Sequence, residues 1–235
     1  MWNGTEDKIK VKITWIRHGM TQANGEHRYL GKTDEPLSET GIRLLQEKKK
    51  EYFSSPPEFL YTSPMKRCVQ TAELLFERNP ILIPEWKEMD FGQFEGKKYE
   101  ELKDDPCYQK WIDSNGTLPF PGGESREQFI RRSMEGFDRM MSDILKRSEK
   151  NTGIQNDTDP RYLNSDRGTE IPVVAVVHGG TIMAVLSSLT GGEYFDFQVK
   201  NGEGYETVLE WIQGRWKITS LTKIGCEDLK SEHLQ

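Results

Sequence analysis

Residues 172–181 read PVVAVVHGGT, and this stretch decides the fold class. Pro172 to Val177 form a continuous apolar run, as a strand needs when both its faces are covered; a strand with one wet face alternates instead. The run ends at His178-Gly179-Gly180-Thr181, after which IMAVLSSL reads as a helix. Working outward, KVKITWI (10–16) alternates polar and apolar residues, so Val11, Ile13 and Trp15 share one face of a second strand. It stops as abruptly, in Arg17-His18-Gly19. A third strand, EFLYT (58–62), runs into Ser63-Pro64, an N-cap residue followed by proline at the first helical position. Met65, Cys68, Val69, Ala72 and Leu75 then recur at the spacing of a helix packed on a sheet.

The remaining pattern is consistent with this. A helix is predicted from Ser38 through Lys48, a short strand at 81–83, short helices over 97–105 and 106–114, and a long amphipathic helix from Ser125 to about Lys146. Two last strands, 205–212 and 215–222, are joined by Gln213-Gly214, a hairpin turn. Strands alternating with helices predict an α/β fold, a three-layer α/β/α sandwich with a mostly parallel central sheet. A single domain over 1–235 is expected, with a helical cap insertion at 88–147. Residues 148–170, SEKNTGIQNDTDPRYLNSDRGTE, are expected to be a polar, mobile insertion.

Composition narrows the function classes. At ~150 residues per domain, 235 residues permit one large domain with an insertion. Cys68, Cys107 and Cys226 are odd in number and lack a CxxC pair, which argues against a disulfide framework or a thiolate zinc site. The 32 basic and 38 acidic residues leave a net charge of −6, with no footprint for nucleic acid. No run approaches the ~18 apolar residues of a membrane helix, and the N-terminus lacks the apolar centre of a signal peptide. A cytoplasmic protein with neither a nucleic-acid nor a membrane partner is expected. The oligomeric state is left open.

The chemistry lies where the two strands end. In open parallel sheets, ligands bind outside the carboxyl ends of the strands, so His18 and His178 both lie where a site belongs. Gly179-Gly180-Thr181 opens a helix whose free N–H groups and dipole favour an anion. Arg17 and Arg67 add guanidiniums, whose fork matches phosphate oxygens at two points. Together these groups would bind a phosphoryl group. Taken singly, each has a plainer reading. A strand-end histidine is more often a satisfied core or surface group, and Arg67 alone reads as a salt-bridging residue. Glu88 alone reads as a solvated loop acid, with Glu85, Asp90 and Glu95 as rivals. Glu124-Ser125 reads as a helix cap, His27 and His233 as surface residues, and Arg28 and Arg132 as salt-bridge partners.

In this arrangement the chain resembles the histidine phosphatase superfamily, also called phosphoglycerate mutase-like. Six elements stand in the family's order: RHGMTQAN (17–24), GKTDEPLSETG (31–41), TSPMKRCVQTAE (62–73), EMDFGQFEG (88–96), PGGES (121–125) and VVHGGT (176–181). The resemblance implies that His18 is a nucleophile forming a phosphohistidine that water then hydrolyses. It also implies that Arg17, Arg67 and His178 bind the non-bridging oxygens. Asn24 would be a neutral phosphate ligand, Thr21 a further one, and Gly179 a backbone contact. Glu88 would be the proton donor to the leaving oxygen. A small phosphorylated substrate is implied, with no cofactor and no metal ion.

The segment EGKKYEELKDDP looks like the phosphatase branch, because the resembling mutases carry a longer basic segment there. PGGES and HGGT are most similar to the bacterial α-ribazole phosphatase group, so α-ribazole 5′-phosphate is one expected substrate. A cofactor-dependent phosphoglycerate mutase is the alternative within the family. A catalytically idle protein that binds phosphorylated ligands or partners is the alternative of another class. Met20 departs from the glutamate or glutamine that follows RHG in many relatives, which puts substrate choice in question more than reaction type.

Overall fold

The computed structural model describes residues 9–52, 57–152 and 170–225. Its strands are β1 (Lys10–Arg17), β2 (Phe59–Thr62), β3 (Ile81–Leu82), β4 (Ile171–Val177), β5 (Gly204–Ile212) and β6 (Arg215–Ile224). They form one sheet of order β3-β2-β4-β1-β5-β6. β4 pairs in parallel with β1 and β2, and β2 with β3, whereas β5 runs antiparallel to both β1 and β6. The sheet is therefore mostly parallel with an antiparallel edge. Gln213 and Gly214 turn the β5–β6 hairpin, both at positive φ (52° and 77°), the backbone of a type I′ turn that matches the twist of the flanking strands.

The apolar run at 172–177 is covered on both faces. Val173, Ala175 and Val177 join Val11, Ile13 and Trp15 against the long helix α6 (Arg126–Thr152) and against α7 (Gly179–Thr190). Val174 and Val176 face the other way with Ile16 and Leu60, against α2 (Glu39–Tyr52) and α3 (Lys66–Phe76). These are the three layers, and the fold class is as expected. Trp15, Trp86 and Phe137 anchor the first core, with Trp15 5.9 Å from Trp86 and 6.4 Å from Phe137 between ring centroids.

A third cluster sits over the strand ends. It contains Met89, Phe94, Leu102, Tyr108, Phe120 and Phe129, with Tyr29, Phe91 and Trp111 packed against it. Its short helices, α4 (Tyr99–Leu102) and α5 (Pro106–Asp113), are too brief to bury a long stripe, and edge-to-face rings supply much of the packing, as in Phe94–Tyr108 at 5.2 Å. α6 spans both regions: Phe129 joins this cluster, and Phe137, Met140 and Ile144 join the sheet core. α6 also runs to Thr152, beyond the expected end near Lys146, so the first residues of the 148–170 segment are helical. The rest of that segment, 153–169, lies outside the described residues, as does His233. Among the described residues, no helix is long and apolar enough to cross a membrane.

Candidate active site

Parallel pairing of β1 with β4 sets Arg17 opposite Val177, so the next residue of each strand is a histidine. The His18 N–H donates to Val177 O at 2.9 Å, and the two imidazole centroids lie 5.2 Å apart at 67°. Both rings are buried, and residues 160 positions apart in sequence meet at the end of two neighbouring strands.

The environment of His18 settles its tautomer. Nδ1 lies 2.7 Å from Gly19 O, and a carbonyl can only accept, so Nδ1 carries the proton and Nε2 keeps its lone pair. Burial, reinforced by Arg67 and Arg17, holds the imidazole well below its ordinary pKa. The fold therefore favours the neutral imidazole. His178 is likewise held far below its ordinary value, by burial first and Arg67 next. Its Nε2 shares a hydrogen bond with Ser63 Oγ at 2.8 Å, and its Nδ1 faces Glu88 Oε2 at 3.8 Å. Ser63 was expected to cap α3. The helix instead begins at Lys66, with Met65 in the cap position and no side-chain cap bond, and the Ser63 hydroxyl serves His178.

Glu88 is positioned by its neighbours. Its Oε1 accepts the Met89 N–H at 2.9 Å. Arg132 clamps the surrounding backbone, donating to Glu85 O, Lys87 O and Glu88 O while bridging both oxygens of Glu124. Gly180 is required for closeness: a Cβ there would stand 2.7 Å from Glu88 Oε1. Burial raises the Glu88 carboxyl above the ordinary range, against the lowering pull of the Met89 N–H, Arg67, Arg17 and Arg132. The rival acids are engaged elsewhere. Glu85 pairs with Arg139, Asp90 with Lys32, and Glu95 accepts the Gly31 and Thr33 N–H groups.

Arg67 is 0 % exposed and donates to Thr33 O and Gly31 O, both at 2.9 Å, so it also holds the 31–33 loop. Arg17 donates to Val199 O at 2.7 Å, and burial pulls its pKa down while Glu88 opposes. In both guanidiniums Nε is buried without a partner among the described residues. Buried donors are nearly always satisfied, and a bound anion would satisfy these. Gly179 lies against Arg17, a Cβ there meeting its Nε at 3.4 Å. It is the first residue of α7, whose leading N–H groups have no partner within the helix.

Asn24 and Thr21 form a capping box on α1 (Gln22–Gly25): Thr21 Oγ1 accepts the Asn24 N–H, and Asn24 Oδ1 accepts the Thr21 N–H. Asn201 ties this turn to the site, donating from Nδ2 to Asn24 Oδ1 at 3.1 Å and to His18 O at 3.0 Å. Thr71 accepts the Gly19 N–H at 2.9 Å and donates to Arg67 O at 2.6 Å, joining the two arms of the site. Sequence reasoning missed Asn201 and Thr71, and it gave Ser63 another role. Met20 acts through its backbone, its carbonyl accepting from both N and Oγ of Ser38. Arg28 pairs with Glu26 and Glu101, Ser125 caps α6 by exchanging bonds with Gln128, and His27 is exposed.

A cavity of about 260 Å³ opens on Arg17, Glu88, Gly179 and Gly180. Its other walls are largely aromatic: Tyr29, Phe91, Trp111, Phe120, Tyr194 and Phe195, with Arg126 as a second cation. Among the described residues, no group of three or more His, Cys, Asp or Glu is arranged to hold a metal ion.

Comparison with known proteins finds similarity along most of the chain. The family model described as histidine phosphatase superfamily (branch 1) matches residues 13–152. The chain is 27% identical over 209 residues to an uncharacterized phosphatase, PhoE, of Bacillus subtilis, covering 88% of this chain and 91% of that one. It is 27% identical to a glucosyl-3-phosphoglycerate phosphatase of Mycolicibacterium vanbaalenii, covering 86% and 83%. The α-ribazole phosphatase structure from Shigella flexneri shares the fold, with a TM-score of 0.66 at 23% identity over 93% of this chain and 100% of that one.

Proposed function

Because the chain belongs to the histidine phosphatase superfamily (branch 1), we propose that it is a metal-independent phosphomonoesterase working through a phosphohistidine on His18. Its similarity to named phosphatases supports the enzyme class. The observation that carries the mechanism is the Nδ1 contact of His18 with Gly19 O, which leaves a neutral Nε2 for attack. Nε2 forms a bond to phosphorus as the ester P–O bond breaks, and Glu88 gives its proton to the departing oxygen. The Glu88 carboxylate then takes a proton from water, whose oxygen displaces His18 and releases inorganic phosphate. Arg17, Arg67, His178 and the α7 N-terminus bind the non-bridging oxygens and offset charge through both transition states. Asn24 completes that shell, with Thr21 holding it in place.

The substrate is a small phosphomonoester with an apolar, ring-containing organic part, which the aromatic walls favour. α-Ribazole 5′-phosphate is one such molecule, supported by the PGGES and HGGT elements. A phosphoglycerate mutase would instead act on a small acid with no ring to meet these walls. The test is turnover of p-nitrophenyl phosphate in EDTA by the wild type and by His18→Ala. Metal-independent turnover that vanishes in the variant is expected. Equal activity in both would remove His18 from the chemistry, and no activity in either would favour a ligand-binding protein.

A further inference from the structure

Arg126 stands where helix physics disfavours it. It is the first residue of α6, at the end where the helix dipole favours acids over cations. The other four arginines of that helix, Arg131, Arg132, Arg139 and Arg147, each pair with a carboxylate. Arg126 is half-buried, and no carboxylate pairs with it among the described residues. Its Cζ lies instead 5.6 Å from the ring centroid of Tyr194 and 5.5 Å from that of Phe195. Two rings hold a guanidinium in place without neutralising it. Arg126 also lines the cavity that Arg17, Glu88 and Gly179 close at the phosphoryl end. A fixed, uncompensated cation in a mostly apolar cavity is the feature that reads an anion on the bound molecule.

We propose that Arg126 determines specificity by binding a carboxylate on the organic part of the substrate, so that the preferred class is aromatic phosphomonoesters bearing an acid. The inference rests on the phosphatase reading of the same cavity and ranks acidic bodies above neutral ones of equal size, which places α-ribazole 5′-phosphate, whose organic part carries no carboxylate, below an acid-bearing aromatic ester. At about 260 Å³ the cavity is below the usual range for drug-sized ligands, which suits a body of one or two rings.

Two substrates of nearly the same shape, 4-carbamoylphenyl phosphate and 4-carboxyphenyl phosphate, test it. The wild type is expected to show a KM about tenfold lower for the carboxylated ester, the equivalent of one modest charge-assisted contact. That ratio should shrink as salt is raised. Arg126→Met keeps the aliphatic packing on the rings and should bring the KM ratio close to one, and Arg126→Lys should keep most of the preference. A wild-type ratio near one, or a ratio that survives in Arg126→Met, would overturn the proposal while leaving the phosphatase reading intact. Turnover of either ester that persists in His18→Ala would overturn both.

Discussion

At the scale of single residues, the site pushes two kinds of group in opposite directions. Burial holds the His18 and His178 imidazoles neutral, and the same burial keeps a proton on Glu88 above the ordinary carboxyl range. An uncharged imidazole beside a carboxyl that keeps its proton to higher pH than usual suits the phosphoryl transfer proposed for His18. Glu88→Gln retains the Oε1 acceptor for Met89 and removes the transferable proton. It is expected to slow alkyl phosphates by about 100-fold or more, the usual contribution of general acid catalysis. p-Nitrophenyl phosphate, whose leaving group needs little protonation, should be affected far less. On alkyl substrates the wild-type rate should fall as pH rises through the raised Glu88 pKa, and the variant should lack that limb. Equal loss on both substrates would make Glu88 a structural residue.

At the scale of elements, the site depends on how α3 meets the end of β1. Thr71, buried in the middle of α3, satisfies the Gly19 N–H with the same hydroxyl that bonds back to Arg67 O. One side chain therefore fixes the spacing between the turn after His18 and the Arg67 backbone, the proposed nucleophile and a proposed phosphate ligand. Thr71→Val keeps the shape and leaves that N–H without its acceptor, and an unsatisfied buried donor costs about 1–3 kcal/mol. A loss of unfolding free energy of that size, read as a lowered urea midpoint, is expected, together with a raised KM for p-nitrophenyl phosphate. An unchanged midpoint would mean that the turn is held by its other contacts, the Asn201 bridge to His18 O among them.

For the molecule as a whole, storing two neutral imidazoles has a consequence for stability. Unfolded histidines take up a proton below pH ~6.5, and the folded protein refuses those protons at His18 and His178. Stability attributable to them is therefore complete above pH ~6.5 and declines as pH falls, by up to about 1.4 kcal/mol per unit for each. Glu88 has the opposite sign, because the folded state keeps a proton that the unfolded chain releases; its contribution falls as pH rises. Two imidazoles outweigh one carboxyl, so urea midpoints should drop between pH 6.5 and 5.5. Replacing both histidines with glutamine should flatten or reverse that slope. A wild-type midpoint independent of pH over this window would contradict the burial described for both rings.

The alternation in KVKITWI, the double-sided run PVVAVV and the stripe behind Ser63-Pro64 determined the strands, the layers and the mostly parallel sheet, because periodicity and burial are written locally. The motifs RHG and HGGT likewise placed His18, Arg17 and His178 at strand ends. Tertiary structure alone decided what those groups became. The His178 partner Ser63 lies 115 positions away, and Asn201 reaches His18 across 183. The balance at Glu88 depends on desolvation by one set of elements against guanidiniums carried by three others. Arg126 and its two rings carry no sequence signature, because cation–π geometry depends on distance and angle rather than spacing along the chain. Protonation, orientation and pocket shape are through-space quantities, fixed only once distant segments pack.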